Sequence, residues 1–139
     1  MASRGPDRPP QLMQTVIDAP DHRRLAEFYR ELLSYRYREG SEPGPADDPV
    51  WIEIEDGATG QRLAFQQGSR HRPPDWPEHH QTPTQMHLDV SVPNRQALEA
   101  AVAQARSLGA TVLSTADEPD GLIVLADPAG HPLCILIEG

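Results

Sequence analysis

The stretch QTVIDAPDHRRLAEFYRELLSYRY (14–37) is answered later in the chain by HLDVSVPNRQALEAAVAQARSLGATVL (87–113), and that echo decides the fold. Slid over one another without a gap, Gln14 falls on His87, Asp21 on Asn94 and Leu25 on Leu98. Two residues must be inserted before Ser34 meets Gly109. Self-similarity over a fixed offset marks a duplicated supersecondary unit. Each copy starts with an alternating, strand-like run, turns at Pro20-Asp21 or Pro93-Asn94, and continues as a helix. The first helix carries Leu25, Phe28, Tyr29, Leu32 and Leu33 at helical spacing, and the second carries Leu98, Ala101, Val102, Ala105 and Leu108. Gly109 stands where a helix C-terminus wants positive φ.

Working outward, each helix is followed by short strand patterns. In the first copy these are YRYRE (35–39), VWIEIE (50–55) and RLAFQQ (62–67), after an opening strand QLMQTVID (11–18). In the second they are ATVLS (110–114), GLIVLAD (121–127) and LCILIE (133–138), after QMHLDVSV (85–92). Asp127-Pro128-Ala129-Gly130 is turn chemistry, with Pro presetting φ and Gly supplying a positive one. The chain thus reads as a β-α-β-β-β unit used twice, an α+β fold. The expected organisation is a disordered tail at 1–10, then one domain at 11–139. Within it a module at 11–67, a Pro-rich connector at 68–84 and a module at 85–139 follow one another.

Composition bounds the function. The chain has 139 residues, one domain's worth, and a net charge of −9, which disfavours nucleic acid and anionic membranes as partners. Apolar runs are about five residues long, against roughly 20 for a membrane span. MASRGPDRPP has no apolar core of the kind a signal peptide needs. The single cysteine, Cys134, rules out an intrachain disulfide and makes a cytoplasmic, reducing compartment the default expectation.

The residues that mark the repeat resemble the vicinal oxygen chelate (VOC) superfamily, which contains glyoxalase I, bleomycin-resistance proteins and extradiol dioxygenases. The matching pieces are Gln14 placed seven residues before Asp21, LAEFYRELLSYRY, HLDVSV, LGATVL and DPAGHPLCIL, most like the glyoxalase-like bacterial branch. The resemblance implies two tandem βαβββ modules whose strands form a curled mixed sheet around a cavity, helices outside, often in a homodimer. Ser34 departs from the family's usual Gly, so its turn is not expected to need positive φ.

With one sheet face given to the helices, period-2 alternation assigns the other to the cavity. Trp51, Glu53, Gln66, His87, Asp89 and Cys134 then face inward. The family's metal enzymes place four ligands, usually His or Gln, Glu, His and Glu. Carried onto this chain, the first falls on Gln14, the third on His87 and the fourth on Cys134. The second falls near Ala64 or Gln66, neither a carboxylate. Hard divalent ions want charged oxygen ligands, so no cofactor is favoured. Gln14, His87 and Cys134 would be the ligands if Zn, Ni, Mn or Fe were bound.

Three function classes compete. The favoured one is a metal-free protein binding a small organic molecule at Gln14, Trp51, Gln66, His87, Asp89 and Cys134. The alternative is an enzyme: a glyoxalase-type lyase or isomerase with a divalent metal on Gln14 and His87, or a metal-free acid–base isomerase. In the latter Glu53 or Asp89 would be the catalytic carboxylate, its pKa raised by burial beside Trp51. The third is an interaction module with a filled cavity. An extradiol oxygenase needs two histidines and a carboxylate for iron, and one histidine at the expected positions argues against it. Arg23, Arg24 and Arg30 read as the solvated face of the first helix. The histidines and aromatic of the connector (His71, His79, His80, Trp76) read as loop residues.

Overall fold

The computed structural model describes residues 9–68, 72–74, 86–114 and 119–138. The expectations for the first eight residues of the tail and for His71, Trp76, His79 and His80 fall outside them. The elements run β1 (Thr15–Ala19), α1 (His22–Leu33), β2 (Arg36–Tyr37), β3 (Trp51–Glu55), β4 (Arg62–Gln67), β5 (Leu88–Val92), α2 (Arg95–Ser107), β6 (Thr111–Val112), β7 (Leu122–Ala126) and β8 (Pro132–Ile137). This is the repeated strand–helix–strands order. The strands form two four-stranded sheets, β1-β4-β3-β2 and β5-β8-β7-β6, which do not close into one barrel. In each, the opening strand pairs parallel with the last strand of its module, Thr15 opposite Leu63 and Leu88 opposite Leu133.

The duplication extends to the helix caps. The Asp21 carboxylate accepts the Arg24 amide at 3.1 Å, and the Asn94 side chain accepts the Ala97 amide at 2.8 Å. Each satisfies an amide that a helix start leaves orphaned. At the C-termini, Tyr35 N–H donates to the Arg30 carbonyl and Ala110 N–H to the Ala105 carbonyl, both at 2.9 Å. That closure requires a left-handed residue just before the donor. Gly109 supplies it with φ 111°, and so, against expectation, does Ser34 with φ 56°. The shared hydrogen-bond pattern overrides the mild penalty on a non-glycine residue.

The core lies between helices and sheets. Ile52, Ile54, Phe65, Leu133 and Ile135 are wholly buried on the helix-facing side, together with Leu25, Ala26 and Tyr29 of α1. The two modules are joined across this core. The Tyr29 hydroxyl donates to Asp127 Oδ2 at 2.6 Å, while Asp127 Oδ1 accepts the Ala129 and His131 amides at 2.9 and 3.0 Å. The DPAG turn is therefore a tether as well as a reversal. His131 Nε2 reaches the Asp18 carbonyl at 2.7 Å, and Gln104 Nε2 donates to the Glu31 carbonyl at 3.3 Å.

The arginines of α1 are not simply solvated. Arg23 donates to the Ser41 carbonyl at 2.7 Å, pairs with Asp48 at 2.9 Å and lies over the Tyr37 ring. His22, buried, sits 2.6 Å from the Pro49 carbonyl. Together they fasten the segment between β2 and β3 onto the helix. Arg30 binds Glu27, whose carboxyl it holds down at about 2, with help from the Tyr37 hydroxyl.

Candidate functional site

Alternation divides the first sheet more sharply than the second. Ile17, Ala19, Ile52, Ile54, Leu63 and Phe65 face the helices and are buried. The other face of the first sheet carries three cross-strand rows. Trp51 stands opposite Gln66, itself opposite Asp18; Glu53 opposite Ala64, itself opposite Val16; and Glu55 stands opposite Arg62. On the second sheet Asp89 stands opposite Cys134, itself opposite Val124, and Ser91 lies beside Leu136 and Leu122. These inner faces are open only in part: Ala64, Val124 and Cys134 on them are buried, while Trp51, Gln66 and Asp89 are exposed.

The structure brings His87, Asp89 and Cys134 together. His87 Nε2 and Asp89 Oδ1 are 3.2 Å apart, and one ligand atom from each of the three residues lies within 4.8 Å of the others. The parallel β5–β8 register places Asp89 against Cys134, and His87 enters just before β5. Cys134 is buried, while the side chains of His87 and Asp89 are 49% and 62% exposed. Burial of Asp89, expected on the premise of a closed cavity, does not occur: its side chain stands at the exposed margin of the face, next to the buried Cys134.

The remaining candidates lie on the first sheet. Trp51 and Gln66 are cross-strand neighbours, both exposed. Gln14 immediately precedes β1, and its Oε1 is buried without a hydrogen-bond partner among the described residues. Glu53 is not a free carboxylate: Arg38 pairs with it at 3.1 Å, and its backbone amide donates to Ser41 Oγ. Sequence reasoning passed over Arg38 and Arg62. The alternation in YRYRE and RLAFQQ would have put Arg36, Arg38 and Arg62 on this inner face with Glu53 and Glu55.

The donor chemistry can be tested against the family's metal. A quartet of Gln14, an Ala64 or Gln66 position, His87 and Cys134 lacks the carboxylates that hold a hard divalent ion. The local trio is a different set. An imidazole, a carboxylate and a thiol within 4.8 Å are all zinc ligands, and three of them leave a fourth position open.

Comparison with known proteins places the chain. A search of curated proteins finds no match. Among solved structures, a glyoxalase/bleomycin resistance/dioxygenase family enzyme from Burkholderia phytofirmans superposes with a TM-score of 0.66 at 16% identity, covering 90% of this chain and 96% of its own. The fosfomycin resistance protein FosX from Listeria monocytogenes, in a variant complexed with Mn(II) and 1S,2S-dihydroxypropylphosphonic acid, gives 0.66 at 10% identity, with 93% and 92% covered. A hypothetical protein, SA1046 from S. aureus, gives 0.62 at 15% identity, with 92% and 97% covered. At these identities the likeness is one of fold. Residues 14–136 match the family described as a glyoxalase-like domain, and this chain belongs to that family.

Proposed function

We propose that the inner faces of the two sheets are walls of a small-molecule cavity, closed when two copies of the chain pair as a homodimer, and that ligand binding there needs no metal. The observation that carries this reading is the partition of the sheets. The helix-facing side is apolar and largely buried, while the other presents Trp51, Gln66, His87 and Asp89 to solvent. A sheet face left open with aromatic and convergent polar groups is what a ligand pocket is built from. Pairing is supported by the apolar side chains left exposed, Val16, Trp51, Met86 and Val112 among them. The reducing cytoplasm suits the lone thiol, and the net charge of −9 suits neither nucleic acid nor an anionic membrane. Among the described residues no helix is long and apolar enough to cross a bilayer.

Acid–base chemistry on the bound molecule is the extension of this reading. With Glu53 held by Arg38, the proton-handling group is Asp89, oriented by His87. A second reading rests on the His87–Asp89–Cys134 trio, which would hold zinc. A bound zinc ion would supply Lewis-acid activation, with His87, Asp89 and Cys134 holding it.

A thermal-melt panel of small organic molecules tests the main reading. Compounds that raise the melting temperature of the wild type should do so with about tenfold weaker affinity in Trp51→Ala, since a large aromatic contact carries much of a pocket's binding. Without ligand, the variant should lose about 1–2 kcal/mol, because Trp51 is 39% exposed and Ala gives up the apolar area that the rest of the ring buries. Compounds that stabilise both proteins equally would place the pocket elsewhere.

A further inference from the structure

On the inner face of the first sheet, a groove of about 480 Å³ opens between the segment before β1 and the β3–β4 hairpin. Leu12, Met13, Arg38, Glu55 and Arg62 line it. Its charges are unevenly matched. Glu55 stands directly opposite Arg62 in the ladder, yet its carboxylate is taken by two other guanidiniums, Arg36 at 3.4 Å and Arg38 at 3.7 Å. Arg38 in turn binds Glu53 at 3.1 Å. Two of the three arginines, Arg36 and Arg38, thus take both carboxylates, and Arg62, only partly exposed, is left without an ion pair among the described residues. A local surplus of positive charge stands out on a chain whose net charge is −9. Beside it Leu12 and Met13 are 91% and 60% exposed, an apolar wall left largely uncovered among the described residues.

We infer that this groove binds the head of a small organic anion, with Arg62 as the principal ligand, Arg38 as its neighbour, and Leu12 and Met13 against the apolar body. A guanidinium is suited to a carboxylate or phosphate through paired N–H donors. Arg62 can turn toward such a head without breaking an ion pair. The inference rests on the cavity reading and narrows it to ligands carrying an anionic group.

Two probes separate the sources of the charge: sodium hexanoate, with an apolar tail, and inorganic phosphate, with none. Titrations at constant ionic strength are followed by the backbone amides of 60–63 in proton–nitrogen NMR. Saturable binding of either probe is expected, weakened about tenfold in Arg62→Gln, which corresponds to about 1.4 kcal/mol. Arg62→Lys should keep most of it, and Arg95→Gln, on α2, all of it. Hexanoate alone would identify a carboxylate head, phosphate alone a phosphate head. Equal affinity in Arg62→Gln, or unmoved amides with both probes at millimolar concentration, would overturn the inference. If the compound panel still depends on Trp51, only this inference falls; if that dependence is lost too, the cavity reading falls with it.

Discussion

Asp127→Ala is expected to lower stability by about 3 kcal/mol, because three donors lose their acceptor in a site that water does not reach. Asp127 is 3% exposed and sits at the turn between β7 and β8. Its carboxylate takes the Tyr29 hydroxyl from α1 and the amides of Ala129 and His131. Removing it leaves the Tyr29 hydroxyl stranded in the core and loosens the turn at once. Burial raises the Asp127 pKa, a trend the Tyr29 hydrogen bond and the neighbouring His131 oppose. With the folded-state pKa raised, the native protein holds that proton more tightly than the unfolded chain does. This contribution favours folding below the unfolded pKa and is lost as pH rises through the folded value. Asp127→Asn should therefore cost less than Asp127→Ala and should flatten the stability profile over that window. Urea unfolding from acid to neutral pH measures both effects. A cost for Asp127→Ala below about 1 kcal/mol would mean that the turn does not tether the modules.

Phe65→Ala should cost about 3–5 kcal/mol, the range for deleting a fully buried aromatic. The Phe65 ring is wholly buried, stacked on Tyr29 with centroids 5.9 Å apart, and Tyr29 meets Phe28 edge-on at 4.9 Å. These rings join β4 to α1, so the vacated space opens at the centre of the module. The neighbouring residue provides the contrast. Gln66 lies on the opposite face of the same strand and is exposed, so Gln66→Ala should stay within about 0.5 kcal/mol of wild type. Denaturant unfolding of the two variants checks the assignment of faces directly. Similar costs at 65 and 66 would contradict it.

The repeat was readable because its signals are local. Asp21 and Asn94, aligned without a gap, both cap helices, and the apolar stripes of LAEFYRELL and ALEAAVAQA give their lengths. Strand alternation placed the inner faces for the same reason. The ends of the edge strands were less legible. YRYRE shrinks to Arg36–Tyr37 and ATVLS to Thr111–Val112: each is an edge strand held by a partner on one side only, and it leaves the sheet while that partner continues. What could not be read is what depends on distant partners. The fastening of Ser41, Asp48 and Pro49 by Arg23 and His22 spans 18 to 27 residues of chain. The capture of Glu53 by Arg38 belongs to the same class, and it removes a carboxylate that alternation alone would leave free. The approach of His87 to Asp89 and Cys134 was half visible, in the two-residue spacing along one strand.

The measurement that bears most directly on the cavity is a native mass spectrum of the untagged protein, which reports assembly, bound small molecules and bound metal together. For this 15.3 kDa chain the expected result is a dimer near twice that mass, able to take up a small organic molecule and free of stoichiometric metal. A monomer that takes up nothing would contradict it. So would one zinc ion per chain that disappears in His87→Ala, which would make His87, Asp89 and Cys134 a metal centre and the metal-free pocket wrong.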